Sequence, residues 1–160
     1  MLVVADSSPL IVLIKIERIE LLPKLFKEVL IPPAISMELR APTRPQVVWD
    51  FITHPPWWLV ERAPTTINDI PTLDNGECAA ISLAQEVQAG LLLMDEDRGR
   101  KAAIDRQLRV TGTIGVLERA AAEGFVDLAE AFQRIKGTDF WIPHAFLDER
   151  LHRFLSNRKT

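Results

Sequence analysis

The sequence predicts an α/β fold: a mostly parallel central sheet with helices on its faces. Short, wholly apolar runs at Leu2-Val3-Val4-Ala5, Val29-Leu30-Ile31 and Leu91-Leu92-Leu93-Met94 read as strands buried on both faces. The segments between them carry apolar residues at helical spacing, so strands and helices alternate along the chain, the pattern of a parallel sheet with helical crossovers. The first and last of these runs each lead straight into an aspartate, Asp6 and Asp95. In such folds ligand sites lie beyond the carboxyl ends of the strands, where strand order reverses.

Each element has a local reason. After Asp6, Ser7 or Ser8 can cap a helix and Pro9 falls in its first turn, where a missing N–H costs nothing. Leu10, Leu13, Ile14 and Glu17 continue the helical spacing, and a short helix follows over about 20–26. The strand Val29-Leu30-Ile31 is stopped by Pro32-Pro33, and helix residues run from about Ala34 to Leu39. The stretch Pro42 to Pro64 is rich in proline and tryptophan, with a short helix expected at Val47 to Ile52 and a strand at Leu59-Val60. Asn75-Gly76 signals a turn before an amphipathic helix bearing Ala79, Ala80, Leu83, Ala84 and Val87 on one face. Ala89-Gly90 ends it ahead of the strand Leu91 to Met94. A helix over Arg98 to Leu108, a short strand at Val110-Thr111, and a helix from Gly112-Thr113 to Glu123, ended by Gly124, come next. Two further helices are expected over Leu128 to Ile135 and about Ala145 to Leu155.

At 160 residues the chain is expected to be a single domain, 1–160, with a core over about 1–135 and a C-terminal helical extension over about 143–156. A hydrophobic content of 48% suits a folded core. The single cysteine, Cys78, excludes an internal disulfide and a cysteine-based zinc site, and fits a reducing compartment. No run reaches the roughly 18 apolar residues of a membrane span. The apolar N-terminus lacks a basic leader and contains Asp6, so a cytoplasmic location is expected. A net charge of −3 argues against a general nucleic-acid coat. Arg98, Arg100, Lys101, Arg106 and Arg109 nevertheless lie close together, as a local basic surface or a solvated helix face.

The acids carry the chemistry. If the strands ending near Asp6 and Asp95 are parallel neighbours, both aspartates emerge at one edge of the sheet. Each alone can be a helix cap. Glu38, one turn into the helix after Ile31, and Glu77, just after Asn75-Gly76, can join them; alone, one reads as an exposed helical acid and the other as a partner for a helix N-terminus. Two carboxylates about 4 Å apart repel by on the order of 4 kcal/mol at an effective dielectric near 20. A protein that gathers several therefore binds cations or protonates some of them. Oxygen ligands select Mg²⁺ or Mn²⁺, and such ions clamp a phosphodiester and activate a water for in-line attack.

At these residues the chain resembles a PIN domain, and in particular the VapC-like toxin ribonucleases and their prokaryotic relatives. Four segments carry the resemblance: Val4-Ala5-Asp6-Ser7-Ser8-Pro9-Leu10; Ile31-Pro32-Pro33-Ala34 running to Glu38-Leu39; Gly76-Glu77-Cys78-Ala79-Ala80-Ile81; and Leu92-Leu93-Met94-Asp95-Glu96-Asp97-Arg98-Gly99-Arg100, continued by Val110-Thr111-Gly112-Thr113-Ile114-Gly115-Val116-Leu117. Together they span roughly three quarters of the chain. The resemblance implies a PIN-like three-layer fold and a Mg²⁺- or Mn²⁺-dependent endoribonuclease, the toxin of a toxin–antitoxin pair. Its catalytic acids map onto Asp6, Glu38, Glu77 and Asp95, with Asp6, Asp95, Glu77 and also Asp97 as metal ligands. Ser7 and Thr113 are placed to orient a carboxylate or a water, and Arg98, Arg100 and Lys101 to meet nucleic acid. The partners implied are RNA, a small antitoxin protein and a second copy of the chain, with no membrane. Where many relatives carry a further acid near the last strand this chain has Thr111-Gly112-Thr113, which leaves the choice between one ion and two open.

Other features yield weaker readings. His54, His144 and His152 follow no metal-ligand spacing. Asp6-Ser7-Ser8 lacks the second aspartate of a phosphatase nucleophile motif, and Gly112-Thr113-Ile114-Gly115 lacks the lysine of a phosphate loop. Trp49, Trp57, Trp58 and Trp141 read equally as core or as partner contacts. On the C-terminal helix, Phe146, Leu147, Leu151, Phe154 and Leu155 suit core closure, a dimer seam or an antitoxin groove. The rival of a different class is a catalytically impaired PIN-like module that binds RNA or protein.

Overall fold

Val3–Ala5 forms β1, the middle strand of a five-stranded parallel sheet, and every residue in it is buried. The computed structural model describes residues 1–158. The strands are β1, β2 (Val29–Ile31), β3 (Leu59–Glu61), β4 (Leu91–Leu93) and β5 (Val110–Thr111), in the spatial order β3-β2-β1-β4-β5. All four pairings are parallel: Val4 stands opposite Leu30 on one side of β1, and Val3, Val4 and Ala5 face Leu91, Leu92 and Leu93 on the other. The apolar runs are strands because both of their faces are covered, which removes the alternation a half-exposed strand would show.

Helices connect them: α1 (Ser7–Lys15), α2 (Leu21–Phe26), α3 (Pro33–Leu39), α4 (Gln46–Thr53), α5 (Asn75–Glu86), α6 (Asp97–Asp105), α7 (Thr113–Ala122), α8 (Leu128–Lys136) and α9 (His144–Asn157). Buried residues run almost all round α1, from Ser7 through Ile14. Pro33 opens α3 at its first position, the one interior place where a proline fits a helix. The core between α5 and the sheet is built from Val4, Leu30 and Leu92 against Ala80, Ile81, Leu83 and Ala84. The proline- and tryptophan-rich stretch resolves into α4 and the edge strand β3. Trp58 is buried and tilts against Phe51 with ring centroids 6.1 Å apart, whereas Trp49 and Trp57 are exposed.

The chain divides into two compact units, Met1–Thr113 and the part from Ile114 onward. The first holds the sheet and the acids singled out above. In the second, α8 buries Leu128, Ala131, Phe132 and Ile135 along one stripe, and Asp127 caps it by accepting from the Glu130 N–H at 3.0 Å. Lys136 pairs with Asp148 and Arg150 with Glu118, tying α9 to α8 and to α7. On α9 Leu147 is buried while Phe146 and Leu155 are exposed. No helix of the described residues is long and apolar enough to cross a membrane.

Candidate active site

The β1–β4 register decides where Asp6 goes. Ala5 pairs with Leu93, and the Asp6 N–H continues the ladder to the Leu93 carbonyl at 2.9 Å, so Asp6 leaves the sheet at its carboxyl edge. That edge lies where strand order reverses, with β2 and β3 to one side and β4 and β5 to the other. Asp6 occupies the N-cap position of α1 with extended backbone (φ −79°, ψ 171°), yet its side chain makes no capping hydrogen bond. The simple explanation for an acid at this position, a helix cap, therefore does not account for it. The side chain is buried, only 6% exposed, and its pKa is pushed up from 3.8 to about 7. Burial is the main cause; the Ser7 backbone N–H opposes it, and Glu38, Glu77 and Asp74 add repulsion.

Glu38 reaches the same region from α3. Its carboxyl is raised, first by burial and then by Asp74, while the Ser7 hydroxyl and the Arg44 charge pull it down. Arg44 is anchored by its Nε, which donates to the Glu38 backbone carbonyl at 3.0 Å. Glu77 stands at the start of α5 in a capping box. Its N–H donates to Asp74 Oδ1 at 2.8 Å, and its carboxylate accepts from the Asp74 N–H at 3.2 Å. The Glu77 carboxyl is also raised, by burial first, against the Asp74 N–H and with repulsion from Asp74, Glu96 and Glu38.

Asp95 lies at the same edge with different neighbours. It accepts from Thr113 N at 2.7 Å, from Thr113 Oγ1 at 2.8 Å and from Ser8 Oγ at 2.9 Å. A side chain on Gly112 would collide with Asp95 Oδ1 at 2.6 Å and Arg100 Nη1 at 2.9 Å, so the aspartate and the arginine flank the same turn. Asp95 is not among the charges that raise Asp6, Glu38 or Glu77. Glu96, rather than Asp95, caps α6, accepting from the Gly99 N–H at 2.9 Å. Asp97, Arg98 and Lys101 are exposed on α6, and Arg100 is half-buried.

The structure thus gathers Asp6, Glu38 and Glu77 into one electrostatic group, sets Asp95 beside it at the sheet edge, and leaves Asp97 exposed. Sequence reasoning missed Asp74, Ser8, Arg44 and Gly76. Asp74 was visible in principle, because an acid three residues before a glutamate at a helix start is a capping-box signature. Ser8 leaves no local signal, since its partner Asp95 is remote in sequence, and Arg44 bonds a backbone carbonyl six residues back, a contact that no side-chain pattern marks.

Two tests of fit to a divalent cation give different answers. The donor chemistry suits one: the set is all carboxylate, and a buried acid raised to about 7 carries repulsion that a cation would relieve. The spacing is looser, for among the described residues no group of three or more His, Cys, Asp or Glu side chains converges tightly enough to hold a metal ion. The acids share an edge, and hydroxyls and backbone N–H groups hydrogen-bond Asp95, Glu38 and Glu77 there.

The family DUF3368, described as a PIN domain, matches residues 2–156. The chain belongs to the PIN-domain family. No curated protein and no solved structure gives a significant match. The parallel sheet flanked by helices is consistent with a PIN-like fold. PIN domains are in general nucleases and in general use divalent metal ions, so membership carries a nuclease as the coarse activity. In this PIN domain the residue two after β5, Thr113, is buried and grips Asp95 through its N–H and its hydroxyl.

Proposed function

We propose that this PIN domain is a Mg²⁺- or Mn²⁺-dependent endoribonuclease of the VapC-like type, the toxin of a toxin–antitoxin pair. The observation that carries the reading is Asp6: a buried acid at the strand-order reversal, not used as a helix cap and crowded by Glu38, Glu77 and Asp74. Asp6 and Asp95 are the proposed ligands of the principal ion, with Glu77 and Glu38 reaching it directly or through water and Asp97 as an outer acid. When bound, the ion supplies a Lewis acid for the phosphodiester and lowers the pKa of a water.

The remaining work falls to side chains of this PIN domain. Ser7 holds Glu38 by its hydroxyl. Ser8 and Thr113 hold Asp95 by three accepted hydrogen bonds, which leaves about one of a carboxylate's roughly four lone-pair positions for another ligand. Arg98, Arg100 and Lys101 on α6 supply positive charge for RNA phosphates. RNA as substrate, a small antitoxin as partner and a homodimer rest on the VapC-like segments of the sequence, and a cytoplasmic location on its single cysteine, Cys78. The exposed apolar side chains Phe146 and Leu155 of α9 suit such a partner.

One observation favours a second reading, a catalytically impaired module that binds RNA or protein: among the described residues no three of the acids stand close enough together to hold a metal ion. A single assay separates the two. Purified protein and Asp6→Asn are incubated with RNA and Mg²⁺ or Mn²⁺, and cleavage is followed alongside thermal unfolding with and without the ion. The nuclease reading expects cleavage by the unmodified protein that falls at least about 100-fold in Asp6→Asn. Equal cleavage by both proteins points to a contaminant and removes the assignment. No cleavage together with RNA binding selects the module.

A further inference from the structure

Gly76 is the second residue of α5 and is buried. Its backbone gives no reason for a glycine. It is helical, without the positive φ seen at Gly124 (79°), and inside a helix alanine is the better residue. Its surroundings do give a reason. A Cβ at position 76 would stand 2.0 Å from Glu38 Oε1 and 2.8 Å from Glu38 Cδ, with Ile35 Cδ1 at 3.2 Å. The Glu38 carboxylate occupies the space that a side chain would need. The same carboxylate is held by the Ser7 hydroxyl from α1, so it is seated between the starts of two helices that both flank Asp6.

We propose that Gly76 is a positioning residue: by having no side chain it seats the Glu38 carboxylate on the first turn of α5, next to Asp6 and Glu77. The functional part rests on reading those acids as the active site; the steric part does not. Among the atoms a new Cβ would meet, the far end of Glu38 is the one free to swing away. Gly76→Ala is therefore expected to fold and to displace that one carboxylate.

The test is a double-mutant cycle of Gly76→Ala and Glu38→Ala, read by thermal unfolding in chelator and by RNA cleavage in Mn²⁺. With Glu38 truncated only the flexible end of Ile35 remains close, at 3.2 Å, and once it gives by a few tenths of an ångström Gly76→Ala raises Tm by about 2 °C as a helix-favouring change. With Glu38 present, the same substitution breaks the contact with Ser7 and lowers Tm. In cleavage, Gly76→Ala falls to the level of Glu38→Ala, and the double variant falls no further. If Gly76→Ala fails to fold while the double variant folds, the coupling is present in its strongest form and the proposal stands. Equal Tm shifts in the two backgrounds, or failure of both to fold, would mean that Ile35 or the backbone sets the requirement, and would overturn it. Coupled Tm values without cleavage by any of the four proteins leave the seat intact and remove the nuclease reading instead.

Discussion

Asp6 is an acid that the fold prefers to keep protonated. The rise from 3.8 to about 7 corresponds to on the order of 4 kcal/mol of preference for the neutral form. Replacing it by its neutral isostere should therefore stabilise the metal-free protein. At pH 8 in chelator, Asp6→Asn is expected to gain about 2 kcal/mol in urea unfolding, less than the full amount because the new amide N–H₂ needs an acceptor of its own. Lower stability than the unmodified protein would show that the charge of Asp6 is already compensated. This acid was legible in the sequence because it interrupts an apolar run, and Asp95 because it repeats the pattern. Gly76 was not: it reads as half of an Asn-Gly turn, and its actual requirement comes from Glu38, a residue far off in sequence that leaves no local periodicity.

At the scale of elements, the start of α5 combines two roles. Asp74 caps the helix by accepting from the Glu77 N–H, and it also raises Asp6, Glu38 and Glu77. The two roles can be separated. Asp74→Ala removes cap and charge together and is expected to cost about 1 kcal/mol, whereas Asp74→Ser keeps a capping oxygen and should lie within a few tenths of the unmodified protein. Denaturant unfolding of both variants measures this, and equal losses would mean that the cap hydrogen bond is not what matters there. Strands and most helices were readable because burial on two faces and helical spacing both write themselves into short windows. Helix ends were harder. The expected helix from Arg98 to Leu108 is α6, Asp97–Asp105, closed by Arg106 and then Gln107 at φ 65°. The chain turns there without the glycine that usually marks such a stop, so nothing in the sequence announced it.

Over the molecule as a whole, the parallel order β3-β2-β1-β4-β5 brings separate segments of sequence to one sheet edge, and their acids respond to pH together. The carboxyls of Asp6, Glu38 and Glu77 are all raised, so their contributions share a sign. Between the unfolded value of Asp6 near 4 and its folded value of about 7, the native state binds more protons than the unfolded chain. The stability Asp6 contributes is thus fully present below about pH 4 and is lost as pH rises through about 7, and the raised carboxyls of Glu38 and Glu77 act with the same sign. A divalent cation competes with those protons and relieves the same repulsion, so its effect should run the opposite way. At a concentration 100-fold above its dissociation constant an ion adds about 2.7 kcal/mol. The Tm gain from Mn²⁺ is therefore expected to be small at pH 5 and several degrees at pH 8. In chelator, the Tm difference between Asp6→Asn and the unmodified protein should widen from pH 4 to pH 7. Comparing the two proteins isolates Asp6 from every other titrating group in the chain. A Mn²⁺ gain that is the same at both pH values, or is undiminished in Asp6→Asn, would place any ion elsewhere and separate the buried acid from the metal chemistry.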